Sequence, residues 1–195
     1  MKLSGGLNLM KNKLAIFDMD GTLFDTSLIN YEAYKGALNE FSYDLEYEYF
    51  RDYCNGKYYL EFLPLLTNNA DIELINKIHS RKKELYAKFI SYGKVNNHLF
   101  SLINIMKSEY FISLVTTASF KNTNELLVHF QKKELFDLIL TSEDVIKRKP
   151  NPEGFLKAIN YFHVDAKSTI IFEDSNEGIT AAELTGGSVL KIISF

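Results

Sequence analysis

Residues 14–26 read Leu-Ala-Ile-Phe-Asp-Met-Asp-Gly-Thr-Leu-Phe-Asp-Thr. Leu14 to Phe17 is a short apolar run without helical spacing, which suits a strand buried on both faces of a parallel sheet. Asp18 then falls at that strand's carboxyl end, where the ligands of open α/β sheets gather. Asp20 follows, and Gly21 allows a sharp turn beside it. Two carboxylates this close repel each other unless a cation neutralises them. An Asp-Gly pair alone is ordinary turn chemistry. The longer string, apolar strand then Asp-x-Asp-Gly-Thr-Leu-x-Asp-Thr, is specific enough to mark a site.

After Thr26 the texture becomes helical. Ser27 to Phe41 places Leu28, Tyr31, Ala33, Tyr34, Ala37, Leu38 and Phe41 on one apolar face, with Ser27 as the expected cap. Leu45 to Cys54, Lys57 to Leu66 and Ile72 to Ile90 are expected helices, separated by Asn55-Gly56 and Thr67-Asn68-Asn69. From Asn97 strands and helices alternate. Strands are expected at Tyr110 to Val115, Leu138 to Leu140, Thr169 to Phe172 and Val189 to Ile193. Helices are expected at His98 to Lys107, Lys121 to Gln131, Asn151 to Phe162 and Glu177 to Leu184. Such alternation implies right-handed crossovers and a Rossmann-like parallel sheet flanked by helices. The fold class is therefore α/β, with residues 1–26 and 94–195 as the core and residues 27–93 as an all-helical insert after the first strand.

Of the 195 residues, 46% are apolar and 24% charged, the balance of a globular protein, and the net charge is −3. That charge favours neither nucleic acid nor an acidic membrane as partner. Cys54 is the single cysteine, which fits a reducing, cytoplasmic setting. Met1 to Asn12 lacks the apolar core and cleavage site of a signal peptide and is expected to be a poorly ordered lead-in, with Met10 an alternative start.

Further chemistry is expected where the other strands end. Thr116-Thr117-Ala118-Ser119 closes the strand Tyr110 to Val115 with hydroxyls and amides at a helix start, a place that favours an anion. Lys147-Arg148-Lys149-Pro150-Asn151-Pro152-Glu153 is stiffened by its prolines. Glu173-Asp174-Ser175 puts two acids at the end of Thr169 to Phe172, and hard oxygens there suit Mg²⁺; their alternative is helix capping.

The four segments, in this order, resemble the haloacid dehalogenase superfamily in its phosphatase branch (the phosphoglycolate phosphatase and β-phosphoglucomutase-like members), over most of Leu14 to Ile193. The resemblance implies that Asp18 is a nucleophile forming an aspartyl-phosphate and Asp20 a general acid and base. It implies that Thr116, or Thr117 if the register is one off, binds a phosphoryl oxygen, and that Lys149 holds nucleophile and phosphoryl group. Lys147 and Arg148 are then solvated surface charges. Mg²⁺ is implied on Asp18, Asp20 through its backbone carbonyl, and Asp174, with Glu173 a second ligand or one acting through water. The helical insert resembles the superfamily's cap, whose glycine loop makes Gly56 and Lys57 the expected substrate contacts; Arg51 is a further candidate, and Tyr43, Tyr47, Tyr49, Tyr53, Tyr58 and Tyr59 are either contacts or, more commonly for such aromatics, the cap's own core. Asp20 argues against dehalogenation.

The expected activity is Mg²⁺-dependent hydrolysis of a small phosphorylated metabolite by a monomer or weak dimer. A sugar-phosphate mutase of the β-phosphoglucomutase type is the alternative, but it carries His in Asp-Thr-x-x-x-His where this chain has Asn30, and an amide is no base. A non-catalytic phosphate-binding protein would lack one of these groups, and none is missing.

Overall fold

The computed structural model describes residues 11–193; Met10 and most of the expected lead-in lie outside them. Strand β1 (Lys13–Phe17) is the middle of a five-stranded, all-parallel sheet in the order β5-β4-β1-β6-β7, with β4 at Tyr110–Val115, β5 at Leu138–Leu140, β6 at Thr169–Glu173 and β7 at Ser188–Lys191. Leu14 through Phe17 are fully buried, as a central strand covered on both faces requires. Alternation then sorts them. Ala15 and Phe17 enter a core with Phe100, Ile112, Leu114, Leu126 and Phe172, while Leu14 and Ile16 pack on the other face with Phe155, Ile171 and Ala181. The fold is the expected α/β architecture.

Between β1 and β4 the chain leaves through β2 (Phe24–Asp25) and returns through β3 (Lys94–Val95), and these two short strands pair antiparallel. Everything between them is helical: α1 (Ser27–Asn39), α2 (Tyr47–Tyr49), α3 (Tyr59–Leu66) and α4 (Ile72–Leu85). These helices share their own core of Tyr34, Ala37, Leu38, Phe50, Phe62, Ile75 and Ile78. No helix among the described residues is long and apolar enough to cross a membrane. The remaining helices flank the sheet: α5 (Asn97–Met106), α6 (Phe120–His129), α7 (Glu153–Phe162) and α8 (Asn176–Glu183).

Three expected helices differ in instructive ways. Leu45 to Cys54 is one α turn followed by a π turn over Phe50–Cys54. The wide turn brings Phe50 and Cys54 inward together while Arg51, Asp52 and Tyr53 stay exposed. Ile72 to Ile90 stops being α-helical at Leu85 and continues as a 3₁₀ segment, Tyr86–Tyr92. Leu85 belongs to the insert's core, whereas Tyr86 and Ile90 belong to the sheet's, so the helix tightens where the chain passes from one core to the other. Finally, the cap position of α1 falls on Thr26, not Ser27, and Thr26 makes no capping bond because its hydroxyl is engaged by Asp20.

Candidate active site

Asp18 continues the β1 ladder one residue beyond the strand, its amide donating to Phe172 O at 3.0 Å. Its side chain is thereby held over the carboxyl ends of β1 and β6, with the residue only 6% exposed. The chain then turns back at once: Leu23 N and Phe24 N both donate to Met19 O, at 3.0 and 2.9 Å, and Gly21 N donates to Phe24 O at 2.8 Å. Gly21 has φ +88°, and a Cβ on it would stand 2.1 Å from Asp174 Oδ2. Only glycine allows both this backbone and this approach.

Lys149 closes the site from the opposite side. Its Nζ donates to Asp18 Oδ1 at 2.6 Å, to Glu173 Oε1 at 2.5 Å and to Val115 O at 3.4 Å, above the Phe155 ring. The loop that delivers it is pinned by Glu153, whose carboxylate accepts from the amides of Ile146 and Lys147 at 3.0 and 2.8 Å. Helix α7 starts at Glu153 and not at Asn151, whose amide closes a turn onto Arg148 O at 2.9 Å and whose Oδ1 accepts from Glu153 N at 3.1 Å. Glu173, 1% exposed, spends its other oxygen on Ser175, accepting from N at 2.8 Å and from Oγ at 3.1 Å. Asp174 accepts from Thr22 Oγ1 at 2.9 Å.

Asp18, Glu173 and Asp174 each offer an oxygen within 4.8 Å of the others. One ammonium therefore serves a cluster of three carboxylates, two of them buried and Asp174 half-buried. Burial drives the Asp18 carboxyl well above its ordinary range, with Glu173 and Asp174 adding to the rise against Lys149. Burial and Glu173 push Asp174 up to about 6. Lys149 itself stays protonated, because its two carboxylate partners outweigh its own desolvation. A set of hard oxygens short of positive charge fits a small divalent cation. Since both oxygens of Glu173 are already bonded, Asp18 and Asp174 are the carboxylates free to meet an ion.

Asp20 points elsewhere. Its carboxylate accepts from Thr26 Oγ1, which accepts from Asn30 Nδ2 at 3.1 Å; Asn30 Oδ1 in turn accepts from Lys82 Nζ at 2.6 Å. Burial raises the Asp20 carboxyl, opposed by the Thr26 bond, Lys82, Lys149 and the Thr116 hydroxyl. That rise favours the protonated form of the group. Lys82 was not singled out above, although a signal existed: it shares the helix face of Ile75, Ile78 and Leu85, where a cation is costly unless it has a partner.

That burial has a measurable consequence. It lowers Lys82 to about 8 from the ordinary 10.5. The unfolded chain thus binds more protons between those values, so this group makes the fold more stable as pH rises through them, by about 3 kcal/mol in all. Urea melts at pH 7 and pH 10 should show most of this increment in the wild type and not in Lys82→Met. Parallel pH dependence in the two proteins would contradict the buried charge.

The other expected residues are placed as follows. Thr116 is buried at the end of β4, its hydroxyl accepting from Ala118 N at 3.0 Å, while Thr117 is exposed. Both line one cleft with Lys149, Arg148, Lys147 and Asn151. Gly56 and Lys57 sit on an exposed loop of the insert, and the structure does not bring them to the carboxylates. Their neighbour Tyr58 does reach the core, with the Arg148 guanidinium 4.5 Å above its ring. Arg148 is exposed, as expected, and meets this ring as well. Tyr47 packs on Tyr31, Tyr49 on Tyr53, and Tyr59 on His79, while Tyr43 packs against the insert's core. Arg51 pairs with Asp52.

A parallel sheet thus carries Asp18, Lys149, Glu173 and Asp174 together at its carboxyl ends, with Asp20 on the first loop. A family model described as haloacid dehalogenase-like hydrolase matches residues 15–192. A phosphorylated carbohydrates phosphatase of Thermotoga maritima is 27% identical over 177 residues, covering 88% of this chain and 80% of that protein. A fructose-1-phosphate phosphatase of Escherichia coli is 25% identical over 181 residues, covering 91% and 94%. The crystal structure of CbbY from Rhodobacter sphaeroides in complex with phosphate shares the fold, with TM-score 0.81 and 22% identity over 94% of this chain and 87% of that one. The chain belongs to the haloacid dehalogenase-like hydrolase family, and by class it is a phosphoric monoester hydrolase.

Proposed function

We propose that the protein is a Mg²⁺-dependent phosphatase of a small phosphorylated metabolite, acting through an aspartyl-phosphate on Asp18. The observation that carries this reading is the Asp18 carboxylate at the end of the central strand, hydrogen-bonded to Lys149 at 2.6 Å with Asp174 converging on it. Asp18 attacks phosphorus in line as Asp20 gives its proton to the departing oxygen. Asp20, now ionised, takes a proton from water, whose oxygen displaces Asp18 and releases inorganic phosphate. Lys149 and the Thr116 hydroxyl with its neighbouring amides hold the phosphoryl oxygens, whose charge grows in the transition state.

Asp18, Asp174 and the Asp20 carbonyl would hold the ion, with Glu173 acting through Lys149 and Ser175. When bound, the ion supplies positive charge that offsets the repulsion between carboxylate and phosphate. The helical segment 27–93 serves as a cap over the site, hinged where β2 and β3 pair. Asn30 is bonded on both sides, to Thr26 and Lys82, as a bridge and not as a base, which favours hydrolysis over the mutase reading.

Phosphate release should be followed with Mg²⁺ over phosphoglycolate, hexose phosphates and nucleoside monophosphates. Hydrolysis of at least one is expected. No release from any of them would remove the phosphatase reading.

A further inference from the structure

The chain has three arginines, and two are paired: Arg51 with Asp52, and Arg81 with Glu40 and Glu84. Among the described residues Arg148 meets no carboxylate, and neither do its neighbour Lys147 nor Lys57 on the insert. Lys149 is different, because its charge is shared between Asp18 and Glu173. The two adjacent side chains diverge: Lys149 goes inward to the nucleophile, Arg148 outward to the insert, from Cα atoms about 3.8 Å apart. Both line the cleft that holds Thr116 and Thr117.

Arg148 is also held in place. Its carbonyl accepts from Asn151 N at 2.9 Å, and the Lys147 amide before it is fixed by Glu153 at 2.8 Å. Its guanidinium lies 4.5 Å from the centre of the Tyr58 ring. Tyr58 is backed edge-on by Tyr59, which stacks on His79 at 3.8 Å and 5°. A guanidinium above a ring keeps its N–H donors directed around its edge, and such donors match the planar oxygen pair of a carboxylate or phosphate. This cation is positioned, desolvated on one face and lacks an anionic partner.

We propose that Arg148, stacked on Tyr58 and sharing a cleft with Lys147, is a second anion subsite that holds a carboxylate or second phosphate at the far end of the substrate. This names the substrate class as doubly anionic phosphate esters, and it rests on the phosphatase reading above. Recognition would then use the core and the insert together, because the guanidinium comes from one and its platform from the other.

The test uses matched esters with Mg²⁺. Phosphoglycolate is compared with 2-hydroxyethyl phosphate, which lacks the carboxylate, and fructose 1,6-bisphosphate with fructose 1-phosphate, which lacks the second phosphate. The wild type is expected to favour the anionic member of at least one pair by tenfold or more in kcat/KM, and the pair that shows it identifies the anion. Arg148→Gln should erase that preference through KM, and Arg148→Lys should restore part of it, with thermal melting as the check on folding. Equal or better use, in both pairs, of the member that lacks the second anionic group overturns the proposal. So does an equal loss on both members in Arg148→Gln, which would leave Arg148 only fastening the insert to the core. If the wild type hydrolyses none of these esters nor p-nitrophenyl phosphate, the phosphatase reading itself fails, and the subsite falls with it.

Discussion

Asp18→Asn should lose phosphate release by on the order of 10⁴-fold or more, since an amide cannot form the covalent intermediate and the other groups act only around it. The variant is expected to remain folded. Asp18 sits under a desolvation penalty and beside two further carboxylates, all of which favour its neutral form. An amide of nearly the same shape removes one negative charge from that crowd, and Lys149 keeps Glu173 as partner at 2.5 Å. Its melting temperature should therefore equal or exceed that of the wild type at pH 7. Turnover and melting are to be measured on the same preparation. Near-normal turnover in the folded variant would eliminate Asp18 as nucleophile.

Removing divalent metal by chelation and dialysis should lower turnover on the order of 10²- to 10³-fold, with recovery on adding Mg²⁺, because charge neutralisation by such an ion contributes several kcal/mol to the transition state. The carboxylates of Asp18, Glu173 and Asp174 converge with a single ammonium among them, and a dianionic substrate must enter that field. Mg²⁺ should also raise the melting temperature of the substrate-free protein, since it binds the folded site and not the dispersed carboxylates. Undiminished turnover without metal would leave Glu173 and Asp174 with structural duties alone: holding Lys149, Ser175 and Thr22.

These expectations differ in where they came from. The carboxylates of the candidate site were legible early because each lies within a few residues of a strand end, and a strand's end is a local property of hydrophobic patterning. The limits Tyr110–Val115 and Leu138–Leu140 were read from that pattern and recur in the structure. The division of labour between the two acids of Glu173-Asp174 was not legible. Adjacent strand residues point to opposite sides, and only the packing shows that Glu173 is consumed by Lys149 and Ser175.

Residues distant in sequence were hardest to read. Lys82 joins Asp20 through Asn30 and Thr26 across more than 50 residues, and Arg148 meets Tyr58 across 90. No short-range period announces such pairs. A lysine on an apolar helix face and a cation beside Lys149 each admit several environments, and the choice belongs to the elements that pack against them. The same holds for the break at Leu85, where two cores compete for one continuous apolar stripe. By itself, then, the sequence determined the α/β alternation, the strand-end chemistry and the family, because these depend on residues close along the chain. The tertiary structure decided the sheet order, the partners of Asp20 and the meeting of Arg148 with the insert, because those depend on which surfaces are buried together.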